Sequence, residues 1–255
     1  MRTMEKDRNG KASEGTASEQ DKKRLGLALA RKLGGGTVLI SFEEHFSGDS
    51  VLMNPIRMSL FREALKYPGS TARGLVLRAG LEPHMYRHLH HLRDKGYLGW
   101  FSEGKNTRYY VPIQISLDSV EKMYVLSNEI THRIYHAAAS VQHPTLSSIA
   151  KNFPDMSPQR IHYHLMALVS RGLLEKKGRE YRSTGVVEDM QEAMEKNARH
   201  VEKALMNLFK KDNLAPERIR RRKNLLWVEV RQGHRRETLL FHLVPLTLYP
   251  PKRTK

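Results

Sequence analysis

Cysteine is absent from the 255-residue chain. That single absence excludes disulfides, thiolate metal sites and a cysteine nucleophile together, and it fits a reducing interior. Long apolar runs are missing too: none approaches the roughly 18 to 20 residues that a membrane helix needs, and the stretch from Met1 to Arg24 is polar, with no signal-peptide core. The expectation is therefore a cytoplasmic, nucleoid-associated protein with no membrane partner. Acidic residues are scarce relative to basic ones, 27 against 44, which leaves a formal charge of +17 and a pI near 10.1. Such a surplus predicts attraction to a polyanion, nucleic acid first. No Gly-x-Ser-x-Gly, His-Glu-x-x-His or phosphate-loop pattern occurs. No catalytic residue or cofactor is assigned, and an enzyme is not expected.

What is present falls into segments. Residues 1–24 carry almost no apolar side chains and a nearly balanced charge, so they read as a disordered tail, and the positive excess belongs to the rest of the chain. Residues 25–50 form a short extension with a Gly34-Gly35-Gly36 turn and a strand over Thr37 to Phe42. From Pro55 the pattern becomes periodic. Ile56, Leu60, Phe61 and Leu65 recur at helical spacing, Pro68-Gly69 breaks the run, and a second helix follows from Ala72 to Ala79. Gly80-Leu81 makes a turn, Glu82-Pro83 opens a third helix, and Gly96 ends it. Two strands around Gly104-Lys105-Asn106 come next.

This order occurs twice. His88-Leu89, Leu92, Gly96 and Leu98 match His164-Leu165, Leu168, Gly172 and Leu174 at one constant offset without a gap. Upstream, Ile56, Leu60 and Leu75 match Ile130, Ile134 and Ile149 at a slightly shorter offset, the difference being taken up in the turn Phe153 to Pro158. A shorter hairpin over Leu173 to Ser183 closes the second copy. The units are expected over residues 51–113 and 118–184.

Residues 54–112, with Asn54-Pro55-Ile56-Arg57, Pro68-Gly69, His88-Leu89-His90-His91-Leu92, Gly96-Tyr97-Leu98 and Arg108-Tyr109-Tyr110-Val111-Pro112, resemble ArsR-like winged helix regulators, especially the tandem archaeal kind. Residues 128–184 look like a second such unit. The resemblance implies a mainly α fold with small β wings, built from tandem winged helix-turn-helix domains. Its implied function is transcription regulation on double-stranded DNA. Many such regulators sense metals through cysteines; with none here, metal sensing is not implied.

A helix of this kind fits the major groove, its first turns reaching base edges while its apolar stripe packs inward. The outward positions are His84, Tyr86, Arg87 and His90 in the first copy, and Gln159, Arg160, His162 and Tyr163 in the second. Arg87 and Arg160 lead, because arginine can hold guanine O6 and N7 with two bonds. The hairpins offer Lys105, Asn106 and Arg108, then Lys176, Lys177, Arg179 and Arg182, which suit phosphate contacts or minor-groove insertion. His88 and His164 adjoin core leucines and read as packing residues. His84, His88 and His91 have helical ligand spacing but no acidic or thiol partner, so no metal site is expected.

Residues 186–212 read as one long helix whose apolar stripe of Met190, Met194, Val201, Leu205 and Leu208 wants a partner, either across a homodimer or on its own chain. Residues 213–255 hold the basic run Arg218 to Lys223, a phosphate clamp or a solvated linker, then a β-hairpin of Leu225 to Arg231 and Thr238 to Val244 around Gln232-Gly233-His234. Two other roles compete with sequence-specific regulation: an architectural nucleoid protein that binds with little sequence preference, and a protein-interaction module of the transcription machinery.

Overall fold

Asn54 caps the first described helix: its side chain accepts from the Arg57 backbone N–H at 3.1 Å, with Pro55 in the first turn, where its missing donor costs nothing. The structure is a computed structural model that describes residues 50–232 and 235–251, all of them within one unit, Glu43–Lys255. Helix α1 spans Pro55–Lys66, β1 Ser70–Thr71, α2 Ala72–Arg78, a 3-10 turn Pro83–Met85, α3 Tyr86–Asp94, β2 Gly99–Glu103 and β3 Asn106–Tyr110. A linker helix α4, Leu117–Met123, leads to α5 Glu129–Ser140, α6 Leu146–Ala150, α7 Pro158–Ser170, β4 Leu174–Lys177 and β5 Glu180–Ser183. The long helix α8, Val186–Lys211, precedes β6 Pro216–Arg222, β7 Leu225–Gln232 and β8 Arg235–His242.

The internal repeat extends to the caps. Thr71 accepts from Gly74 N ahead of α2, and Thr145 accepts from Ser148 N ahead of α6. Each threonine also pairs with the last strand of its own hairpin, Thr71 with Arg108 and Thr145 with Glu180. In each copy the third helix turns one apolar stripe inward: Leu89 and Leu92 in α3, and Ile161, Leu165 and Leu168 in α7, all fully buried. Burying a leucine or isoleucine side chain contributes about 1.5–3 kcal/mol, so these stripes fix which helix face remains outside.

The expectation of a mainly α chain of tandem winged helix domains is overturned. The described residues are about 51% helix and 21% strand, with the strands in three small antiparallel sheets, which makes a mixed α/β architecture. The sheets are ordered β1-β3-β2, β4-β5 and β6-β7-β8. Most of the unexpected strand lies in the third. The run Arg218 to Arg222, open in the sequence reading between clamp and linker, is an edge strand of that sheet, joined to β7 through the two-residue turn Lys223-Asn224. A strand of four arginines broken only by Ile219 lacks the apolar alternation by which strands are recognised. The hairpin pairs Leu225 with His242 through Gln232 with Arg235, so its second strand both begins and ends nearer the turn than the expected Thr238 to Val244.

Helix α8 packs on its own chain. Ala198, Val201, Leu205, Leu208 and Phe209 are buried, and the Phe209 ring lies 5.2 Å from that of Phe241 on β8. Its first turn carries Glu188 and Asp189 and its last turn Lys210 and Lys211, charges that complement the helix dipole. The free edge of β8 is closed by Arg62 of α1, whose Nε donates to Leu240 O at 2.9 Å, and by Gln114, just past the first copy, whose Nε2 donates to His242 O at 3.0 Å. The tail 1–24, the triglycine turn, the strand over Thr37 to Phe42, and Gly233-His234 lie outside the described residues.

Candidate nucleic-acid interface

Two helices carry the interface, and their own sequences aim them. Ser157 caps α7 by accepting from Arg160 N at 3.3 Å, and Pro158 fills its first turn, so the helix begins with Gln159 and Arg160 exposed. Further along the same outer surface Tyr163 is 72% exposed and Met166 40%, which offers an aromatic edge and an apolar contact beside the polar pair. In the first copy His84, Arg87 and His90 are exposed, while Tyr86 is half-buried and packed against the core. His162 is also half-buried, its ring edge-on to Tyr181 of β5 at 6.4 Å. Tyr86 and His162 therefore border the outer faces, and Arg87, His90, Gln159, Arg160 and Tyr163 make them up.

Behind these faces sit His88 and His164, at matching places. His164 is buried, with Nδ1 2.8 Å from Thr131 Oγ1 of α5. Burial and then the Arg160 charge hold its pKa below the usual histidine value, so the neutral ring is favoured. His88 has its Nε2 buried with no hydrogen-bond partner, and burial, followed by the charges of Arg87, Arg57 and His91, pushes it down as well.

The hairpins divide into exposed tip residues and cations engaged by neighbouring groups. Lys105 and Asn106 are exposed at the tip of the first hairpin, and Arg179 at the tip of the second. Lys176 lies 5.7 Å from the Tyr181 ring centre, Lys177 Nζ pairs with Glu175 at 2.7 Å, and Arg182 pairs with Glu180 at 2.6 Å. Exposed pairs of this kind contribute little to stability, so a phosphate can displace the carboxylate. Arg108 is different. Its guanidinium donates to Gly69 O at 3.0 Å and to Glu103 Oε2 at 3.2 Å, and it lies 4.1 Å over the Tyr124 ring. That side chain is engaged in a clasp within the protein, unlike the exposed Lys105 and Arg179.

Sequence reasoning missed the junction to which Arg108 belongs. Arg171, just past α7, donates to Tyr124 Oη at 2.7 Å and lies 4.7 Å from the same ring. Tyr124, on the linker, is thus held by one arginine from each copy, with Glu103 hydrogen-bonded nearby and its carboxyl kept below the usual range by Tyr124 and Arg108. The junction ties the first hairpin to the end of α7. Tyrosine and arginine so far apart in sequence give no signal of such contact.

Among the described residues, no three His, Cys, Asp or Glu groups come together as a metal site, and no helix is long and apolar enough to cross a membrane. Comparison with protein-family models gives no match, and comparison with curated proteins finds no relative.

Proposed function

We propose that this chain is a DNA-binding transcription regulator that reads double-stranded DNA through α3 and α7, with the two hairpins on phosphates. The observation that carries the reading is the same division of faces at both helices: a fully buried apolar stripe on one side, and on the other an exposed arginine within the first two turns, Arg87 or Arg160. A helix of this diameter fits the major groove, and arginine there discriminates guanine. The basic surplus of the chain supplies the sequence-blind part of the affinity. The likeness of residues 54–112 to ArsR-like regulators points the same way, and a regulator of this kind works on the chromosome in the cytoplasm. Two reading helices in one chain can address neighbouring sites without a second copy, and a homodimer would double that number.

The test is selection of bound duplexes from a random pool, followed by affinity measurements on the selected and random duplexes as salt rises. Preference for the selected duplex by about 10³ or more, retained at high salt, is the expected result. Equal affinity for both at every salt concentration makes the protein architectural. Failure to bind either duplex removes the proposal and leaves the exposed faces of α3 and α7 to a protein partner.

A further inference from the structure

The outer face of the C-terminal sheet has a chemistry that neither reading helix explains. On β7, Leu226, Val228 and Val230 are buried, and the β6 residues paired with the first two of them are Arg221 and Ile219. Arg221 turns to α8, where Nη1 meets Glu202 at 3.1 Å. Strand alternation then sends Arg218, Arg220 and Arg222 to the opposite face, and all three are exposed. Across from Arg220 on that face stands Trp227, and across from Arg218 stands Glu229. The carboxylates that form ion pairs around this sheet take other arginines: Glu202 takes Arg221, and Glu217 takes Arg231 and Arg236. Among the described residues, none is paired with Arg218, Arg220 or Arg222.

An edge strand needs some charge to discourage pairing with another chain, but arginines at alternate positions do more than repel. Residues on one face of a strand recur about every 6.7 Å along the backbone, so each of these long side chains can engage its own phosphate along one DNA backbone. We infer that the Arg218-Arg220-Arg222 face of β6 is a phosphate-binding edge for double-stranded DNA, gripping the backbone of the duplex without reading its sequence. The inference rests on the DNA-binding reading above and adds a third contact to it. Charge complementarity selects the occupant: a regular row of unpaired cations matches a regular row of phosphates.

The experiment titrates the full-length chain into a fluorescent random-sequence duplex and, separately, into the matching single strand, over a series of salt concentrations. The wild type is compared with the triple variant Arg218→Ala, Arg220→Ala, Arg222→Ala and with the corresponding triple lysine variant. Each lost phosphate contact lowers the slope of log K against log salt by about 0.9. The expected result is a duplex slope shallower by about 2.7 in the alanine variant, near the wild-type value in the lysine variant, with relative affinities among duplexes unchanged. An unchanged slope in a variant that melts like the wild type overturns the inference, as does a slope change confined to the single strand. If the triple variant aggregates, Arg220→Ala alone decides: a shallower slope supports the phosphate edge, and an unchanged one leaves the arginines with edge protection only. A wild type that binds no duplex overturns this inference together with the reading on which it rests, whereas binding with an unaltered slope in the variants overturns this inference alone.

Discussion

Tyr97, just after α3, donates its hydroxyl to Asp212 at 2.8 Å, and so fastens the third helix of the first copy to the far end of α8. Asp212 is 2% exposed and also accepts from Ser50 Oγ at 2.9 Å, Val51 N at 2.6 Å and Leu52 N at 2.5 Å. One carboxylate therefore satisfies the chain entering α1 and the ring that closes the core beneath it. Burial, together with the bond to this carboxylate, pushes the Tyr97 phenol far above its usual range, which favours the protonated, donating form.

Replacing Asp212 by alanine removes the acceptor of two buried backbone N–H groups, those of Val51 and Leu52. Each orphaned donor costs about 1–3 kcal/mol, so the expected loss for the two is about 2–6 kcal/mol in urea unfolding. Tyr97→Phe removes one donor and is expected to cost about 1–2 kcal/mol. The double variant should lose less than the sum of the two, since both changes break the same bond. Strict additivity in that cycle contradicts the clasp.

Gly69 and Tyr124 set the second constraint. The backbone of Gly69 has φ +81°, and a Cβ built there would lie 2.4 Å from Tyr124 Cβ and 2.8 Å from its Cα. Gly69→Ala is strained at its own backbone and pushes away the residue that Arg108 and Arg171 hold. The expected cost is about 2–4 kcal/mol, above the 1–3 kcal/mol of a left-handed residue alone. Calorimetry measures it, and an unaltered melting temperature would sink the account of the junction.

How much was legible in advance follows from the range of each signal. The apolar stripes of α1, α3 and α7 are local periodicities, and the repeat could be traced because Leu89 and Leu165 stand at the same place in the same pattern. Strand β6 is also local, but Arg218 to Arg222 offers no alternation of polarity, and its Lys223-Asn224 turn lacks the glycine that marks many tight hairpins; there Lys223 itself takes φ 52°. Asp212 with Tyr97, and Tyr124 with Arg108 and Arg171, are long-range meetings that no spacing announces. In the candidate interface the exposed arginines of both helices could be named from helical geometry, whereas the clasp role of Arg108 could not, because a paired and an unpaired arginine read alike in sequence.

Acid should loosen the second copy. His132 and His136 on α5 bring their Nε2 atoms to 3.1 Å. Burial and then the neighbouring His132 push His136 down to about 4 from 6.5. Burial lowers His132 too, opposed by backbone contacts to Tyr249 and Thr247 and by Glu129. Histidines that fold neutral bind fewer protons than in the unfolded chain. Their contribution to stability is complete above pH 6.5 and is lost as pH falls toward about 4. Unfolding free energy measured across that window should decline, and His136→Gln should flatten the decline while leaving the behaviour above pH 7 alone, roughly. An equally steep fall in the variant would assign the effect to other groups.

The sharpest test of the reading helices separates what recognises a base from what holds a phosphate. Arg87 and Arg160 are exposed, so Arg87→Ala and Arg160→Ala should leave the melting temperature almost unmoved, since surface changes away from special features stay within about 0.5 kcal/mol. On the selected duplex each should cost about 1–3 kcal/mol, while affinity for random duplexes changes far less, because the lost bonds are to particular base edges. Lys105→Ala and Arg179→Ala should do the opposite: they should weaken all duplexes alike and make the salt slope shallower by about 0.9 each. A bidentate arginine is not replaced by lysine, so Arg160→Lys should keep the salt slope and still lose the preference. If both arginine variants bound selected and random duplexes as the wild type does, the outward faces of α3 and α7 would not be where sequence is read.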